Sequence, residues 1–122
     1  MRFHQYFYVL LNRSPNGDHN NRRKAMRVAN KDANKYVNEL KEFKGSYNKY
    51  ARHNASIFAE NESAFDMYGE DLYVVYSYGY HFPMYIYDRQ AGIWIGSSDR
   101  HSVSTTRHQS HCRPSAEIHC WL

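Results

Sequence analysis

The chain has few of the features that mark membrane, secreted or linker-rich proteins. Its two cysteines, Cys112 and Cys120, are too few for a disulfide scaffold and read most simply as reduced thiols, with a bridge between them as the alternative. No apolar run approaches the roughly 18 residues that span a bilayer, and the opening MRFHQYFYVLLNRSPNGD lacks a small-residue cleavage signature. These absences predict a cytoplasmic protein with no membrane partner. There is no internal repeat and no low-complexity linker, and 122 residues suffice for one core but not two. Also missing are the G-x-S-x-G, H-E-x-x-H and glycine-rich phosphate-loop patterns that would announce a catalyst.

Aromatic residues are plentiful: twelve tyrosines, six phenylalanines and two tryptophans. A tyrosine ring fills the edge of a core while its hydroxyl stays wet or bonded, so such a chain suits half-buried sheets and adhesive surfaces alike. Charge is unevenly placed. Residues 1–53 carry twelve Lys/Arg against four Asp/Glu, whereas residues 54–122 carry four against eight. A local basic region attracts phosphates or an acidic partner, or pairs with the acidic half of its own chain.

Phe3–Leu11 reads as a strand that ends in the turn chemistry of Ser14-Pro15-Asn16-Gly17-Asp18, giving strand and turn over 1–18. Over 19–44 the apolar period lengthens, with Met26, Ala29, Ala33, Tyr36, Val37, Leu40 and Phe43 on one stripe. This spacing predicts one long amphipathic helix, capped by Asp18 or Asn20 and followed by Gly45 at the C′ position. Residues 45–71 read as an acidic loop region with one short strand near Ser56–Glu60. An antiparallel meander follows over 72–97: Leu72–Tyr78, Phe82–Tyr87 with Pro83 at its start, an edge or a bulge, the turn Asp88–Gly92, and Ile93–Gly96. Residues 102–122 form a short helix, capped by Ser102 or Ser104 and stopped by Pro114, and a tail. The fold class expected is α+β: a single domain with an antiparallel sheet of four to five strands packed on one long helix, plus the short C-terminal helix.

Three constellations can carry chemistry. On the far side of the helical stripe, Arg22, Arg23, Lys24, Arg27, Lys31 and Lys35 would form a basic face able to neutralise several phosphates, or simply a solvated surface. Aromatics of the sheet (Tyr73, Tyr85, Tyr87, Trp94) would stack bases if exposed, and otherwise pair across strands. Near the C-terminus, His108, His111, Cys112, His119 and Cys120 offer N and S ligands for a structural zinc, but the spacing differs from that of common finger sites, and the expectation is a plain polar tail with no cofactor. A third group, Ser77, Tyr78, His81, Thr105, Thr106, His108 and Gln109, can converge as a polar pocket or as a network that holds the fold. Within it, His81 and His108 could serve as base and acid in metal-independent phosphodiester cleavage.

The strings Ser77-Tyr78-Gly79-Tyr80-His81-Phe82-Pro83, Ser98-Asp99-Arg100-His101-Ser102 and Thr105-Thr106-Arg107-His108-Gln109-Ser110 resemble a module of small, mostly uncharacterised bacteriophage proteins, over roughly residues 70–114. His101 stands where that module has a tyrosine. The resemblance implies a phage protein acting in the host cytoplasm. The function expected is non-enzymatic binding: an inhibitor of a host defence nuclease complex, as in anti-CRISPR or other anti-defence proteins, or a nucleic-acid-binding accessory protein. The partner would be a host protein, a protein–nucleic acid complex, or nucleic acid held on the basic helix. The alternatives are a small nuclease or nucleotide-processing enzyme using His81 and His108, a protein that sequesters a nucleotide signal, and a virion component.

Overall fold

The structure, a computed structural model, describes residues 25–62, 72–98 and 103–121. These residues form a seven-stranded mixed sheet whose strands lie side by side in sequence order. The strands are β1 (Met26–Arg27), β2 (Phe43–Lys44), β3 (Ile57–Glu62), β4 (Leu72–Ser77), β5 (Pro83–Asp88), β6 (Ile93–Gly96) and β7 (Ile118–Trp121), with helices α1 (Ala33–Asn38) and α2 (Val103–Cys112). The joins from β2 to β6 are antiparallel, and the two outer joins, β1–β2 and β6–β7, are parallel.

The centre follows its composition. Every residue of β4 is buried, so Leu-Tyr-Val-Val-Tyr-Ser reads as a continuous run rather than an alternating one. Pro83 opens β5, where it needs no ladder donor, and the register slips between Val75 and Tyr76 opposite it. The β5–β6 turn is closed by Asp88, whose carboxylate accepts the N–H of Gln90 (2.9 Å) and of Ala91 (3.1 Å), and Gly92 takes the positive φ of 69° that completes it.

One face of the sheet packs with α1 and α2 around Ala33, Val37, Phe43, Ile57, Tyr73, Val75, Trp94, Cys112 and Ile118. The other face carries a separate buried cluster of Ala55, Phe58, Leu72, Val74, Tyr76, Ile86 and Ile95. Tyrosine hydroxyls inside the first layer are satisfied by backbone: Tyr73 donates to the Lys41 carbonyl (2.7 Å) and Tyr85 to the Gln109 carbonyl (2.8 Å). Tyr73, Tyr85 and Trp94 are therefore core residues and not an exposed stacking platform.

The long basic helix expected over 19–44, and with it the sheet of four to five antiparallel strands, is overturned. From residue 25 onward the stretch breaks into four pieces. Met26–Arg27 pairs in parallel with Phe43–Lys44, Ala29 is extended, Asn30–Asp32 is a 3₁₀ turn, and only Ala33–Asn38 is α-helical. The helix stops at Leu40, which adopts φ of 56°. There the Leu40 N–H donates to the Val37 carbonyl (3.1 Å) and the Lys41 N–H to the Tyr36 carbonyl (2.9 Å), the paired bonds of a Schellman stop. Leucine is an uncommon occupant of that left-handed position, so no glycine marks the stop in the sequence. Of the apolar stripe, Ala33 and Val37 face the core through the helix, whereas Phe43 reaches it from a strand and Met26 is exposed.

Candidate nucleic-acid interface

Residues 45–54, between β2 and β3, form a loop whose backbone is tied down along its length. At its base Gly45 is buried so close to the Asn30 amide and the Ile57 side chain that a Cβ would overlap both. Asn30 grips the same base, its Oδ1 accepting the Ser46 N–H (2.7 Å) and its backbone N–H donating to Ser46 Oγ (3.1 Å). Arg27 Nη1 donates to the carbonyls of Gly45 (2.9 Å) and Asn54 (2.8 Å), joining the two ends of the loop. At the tip, Asn48 Oδ1 accepts the Tyr50 N–H (3.0 Å) and the Asn48 carbonyl the Ala51 N–H (3.1 Å), a local turn of the kind asparagine favours. The Arg52 N–H reaches across to the Tyr78 carbonyl (2.9 Å).

His53 and Asn54 close the loop, both at left-handed φ, 59° and 56°. His53 is held by its side chain. Its Nε2 lies 2.9 Å from the Tyr80 hydroxyl and 3.1 Å from Glu60 Oε2, and its ring meets Phe58 edge-on at 5.1 Å. The Tyr80 hydroxyl donates to the Glu60 carboxylate (2.8 Å), so its oxygen is left to accept from His53 Nε2–H. Glu60 is buried, and this set of contacts keeps its carboxylate bonded.

The loop's side chains point outward. Tyr47 is 69% and Tyr50 87% exposed, and Lys49 and Arg52 beside them are exposed too. Lys49 Nζ sits 5.1 Å from the Tyr50 ring centre and the Arg52 guanidinium 5.0 Å from that of Tyr80. Arg27 and Lys31, also exposed, stand on the β-strand and the 3₁₀ turn that bond to the loop base.

The predicted site residues scatter accordingly. Arg22, Arg23 and Lys24 lie outside the described residues. Arg27 is on β1, Lys31 on the 3₁₀ turn and Lys35 on α1, so these three share no single helix face. The loop is expected from the sequence, but its run Tyr47-Asn48-Lys49-Tyr50-Ala51-Arg52, which alternates rings and cations, is not among the predicted site residues.

Of the polar group, the structure brings Ser77 and Tyr78 to His108, and turns Gln109 toward the end of β6. Ser77 Oγ is 2.9 Å from His108 Nδ1, the Tyr78 ring lies 5.1 Å from that of His108, and Gln109 Nε2 donates to the Ser97 carbonyl (3.1 Å). Ser77, Thr105, His108 and Gln109 are all buried, and Thr106 is half-buried on the same helix. Burial, then the nearby His111 and Arg107, hold the His108 imidazole below its ordinary range. His81 is exposed on the β4–β5 turn, its ring packed against Gly79, and among the described residues no hydrogen bond or ring contact joins it to His108. Positive φ in this turn belongs to Tyr78 (66°), while Gly79 supplies the close approach.

Of the five sulfur and nitrogen candidates, Cys112 lies in the core, where burial pushes its thiol far up. Cys120 is a free thiol on β7, with His119 exposed beside it and His111 half-buried on α2. Among the described residues no three His, Cys, Asp or Glu side chains converge as a ligand group. Compared with protein-family models, with curated proteins and with solved structures, the chain matches none.

Proposed function

We propose that this is a binding protein that takes single-stranded nucleic acid on the 45–54 loop, with Tyr47 and Tyr50 stacking on bases and Lys31, Lys49 and Arg52 facing phosphates. The observation that carries this reading is Tyr50, a ring 87% exposed at the tip of a loop whose backbone is hydrogen-bonded at its base and at its tip. An exposed aromatic on a fixed backbone loses little freedom on stacking, and sequence-tolerant stacking beside cations is how single strands are held. Arg27 acts through the loop, since its guanidinium is committed to the Gly45 and Asn54 carbonyls. In the setting implied by the bacteriophage resemblance, the target is host or phage nucleic acid, alone or within a host complex such as a defence nuclease.

The test is a titration of a labelled thymidine oligonucleotide followed by anisotropy across a salt series. Three phosphate contacts give a log–log salt slope of about −2. Tyr50→Ala should weaken binding about fivefold or more, as expected for one lost stack. The double reversal Lys31→Glu/Lys49→Glu should flatten the salt slope. Affinity indifferent to both variants at every salt concentration would sink the proposal. Capture from host lysate with and without nuclease then separates targets: loss on nuclease treatment is expected, and persistence points to a protein partner.

A further inference from the structure

A recess of about 450 Å³ lies where the β5–β6 hairpin, the end of α1 and the segment entering β7 meet, and its chemistry differs from that of the loop. Tyr87 and Trp94 stand in its wall with ring centres 5.1 Å apart and planes tilted by 53°. Trp94 is fixed from behind by edge-on contacts with Tyr73 (6.2 Å) and Tyr85 (6.5 Å). Leu40 adds an apolar side. Asn38 shapes the rim, but its amide is committed to Ser115, donating to Oγ (3.0 Å) and accepting the backbone N–H (2.8 Å). Gly92 belongs to the same lining, and an added Cβ there would meet the Tyr87 hydroxyl at 3.9 Å.

The electrostatics select the ligand. Among the described residues no Lys or Arg lines the recess; its carboxylate is Glu117, exposed and without an ion-pair partner among the described residues, with His119 of β7 also in the lining. A phosphate or carboxylate would be repelled there. Aromatic rings with a nearby carboxylate attract an organic cation, whose positive charge meets the negative ring faces while its alkyl groups leave water. We propose that this cleft binds a small alkylammonium, with its carbon groups against the half-buried Tyr87 and the small part of Trp94 that lines the recess, and its charge beside Glu117. This inference stands apart from the nucleic-acid reading, since it shares no residue with the loop.

The experiment is calorimetric titration of the full chain with choline and, in parallel, with its neutral carbon analogue 3,3-dimethylbutan-1-ol, with tryptophan fluorescence as a second readout. Choline should bind saturably, and the neutral analogue about fivefold or more weakly. Glu117→Gln should weaken choline by a similar factor and leave the analogue unchanged, and Tyr87→Leu should cost choline more than the analogue. Glu117 is exposed, so its substitution keeps the test available even where the Tyr87 variant does not fold. Absence of saturable choline binding, equal affinity for the neutral analogue, or indifference to Glu117→Gln would each overturn the proposal.

Discussion

The 45–54 loop and the Ser77–His108 network are both dense in hydrogen bonds, yet they leave opposite surfaces behind. In the loop the bonds run to backbone groups, so Tyr47, Lys49, Tyr50 and Arg52 remain free to meet something else. In the network the side chains themselves are committed: Ser77 Oγ to His108 Nδ1, and Gln109 Nε2 to the Ser97 backbone carbonyl just past β6. The residues richest in chemical potential on paper are thus the ones folded inward, holding α2 against the sheet. Polar residues become available to a ligand where the backbone, rather than their neighbours, satisfies the local demand for donors and acceptors.

The contrast breaks first at Gly45. Gly45→Ala drives a methyl into the Asn30 amide and Ile57, and should lower unfolding free energy by about 3 kcal/mol, measured by urea denaturation. A stability close to that of the parent chain would mean that the loop base is looser than described. Next is Ser77→Ala, which leaves His108 Nδ1 buried without this partner and should cost about 2 kcal/mol. By comparison, Tyr50→Ala should change stability by less than about 0.5 kcal/mol, because its ring is in solvent.

Acid should also separate the two regions. His108 has a folded-state pKa below its ordinary value of 6.5, so the unfolded chain takes up this proton first as pH falls. The stability associated with its neutral form is complete above that value and is lost as pH drops below it. His108→Gln should therefore show a smaller fall in urea midpoint than the parent chain on going from neutral to mildly acidic pH. An identical fall in both would show that other groups govern the acid limb. The smallest effect is on thiol reactivity: Cys120 should react with a thiol reagent in the native chain, and Cys112 only in denaturant.

How much of this was legible depends on where the signals are local. The meander could be read because Gly79, Pro83 and Gly92 punctuate it and its strands are rich in β-branched and aromatic residues. The helix ending before Pro114 carried comparable punctuation. The region of 25–44 misled because Ala33, Tyr36 and Val37 do belong to a helix, and the same spacing ran on into residues that pair as strands. Its true stop is written in Leu40, which the sequence does not advertise, while Gly45, expected as the stop, provides clearance for Asn30. The exposed tyrosines could not be told from the buried ones. Tyr50 and Tyr76 differ in their tertiary surroundings and not in local pattern.

The two parallel joins flank the antiparallel strands and differ from them in their connections. Each needs a helix-bearing crossover, residues 28–42 for β1–β2 and 97–117 for β6–β7, before its strands can meet, whereas the strands between them zip through nearer neighbours. The loop that presents Tyr50 is clamped by Arg27 of β1, so the pairing of β1 with β2 and the shape of the loop are tied together through one guanidinium.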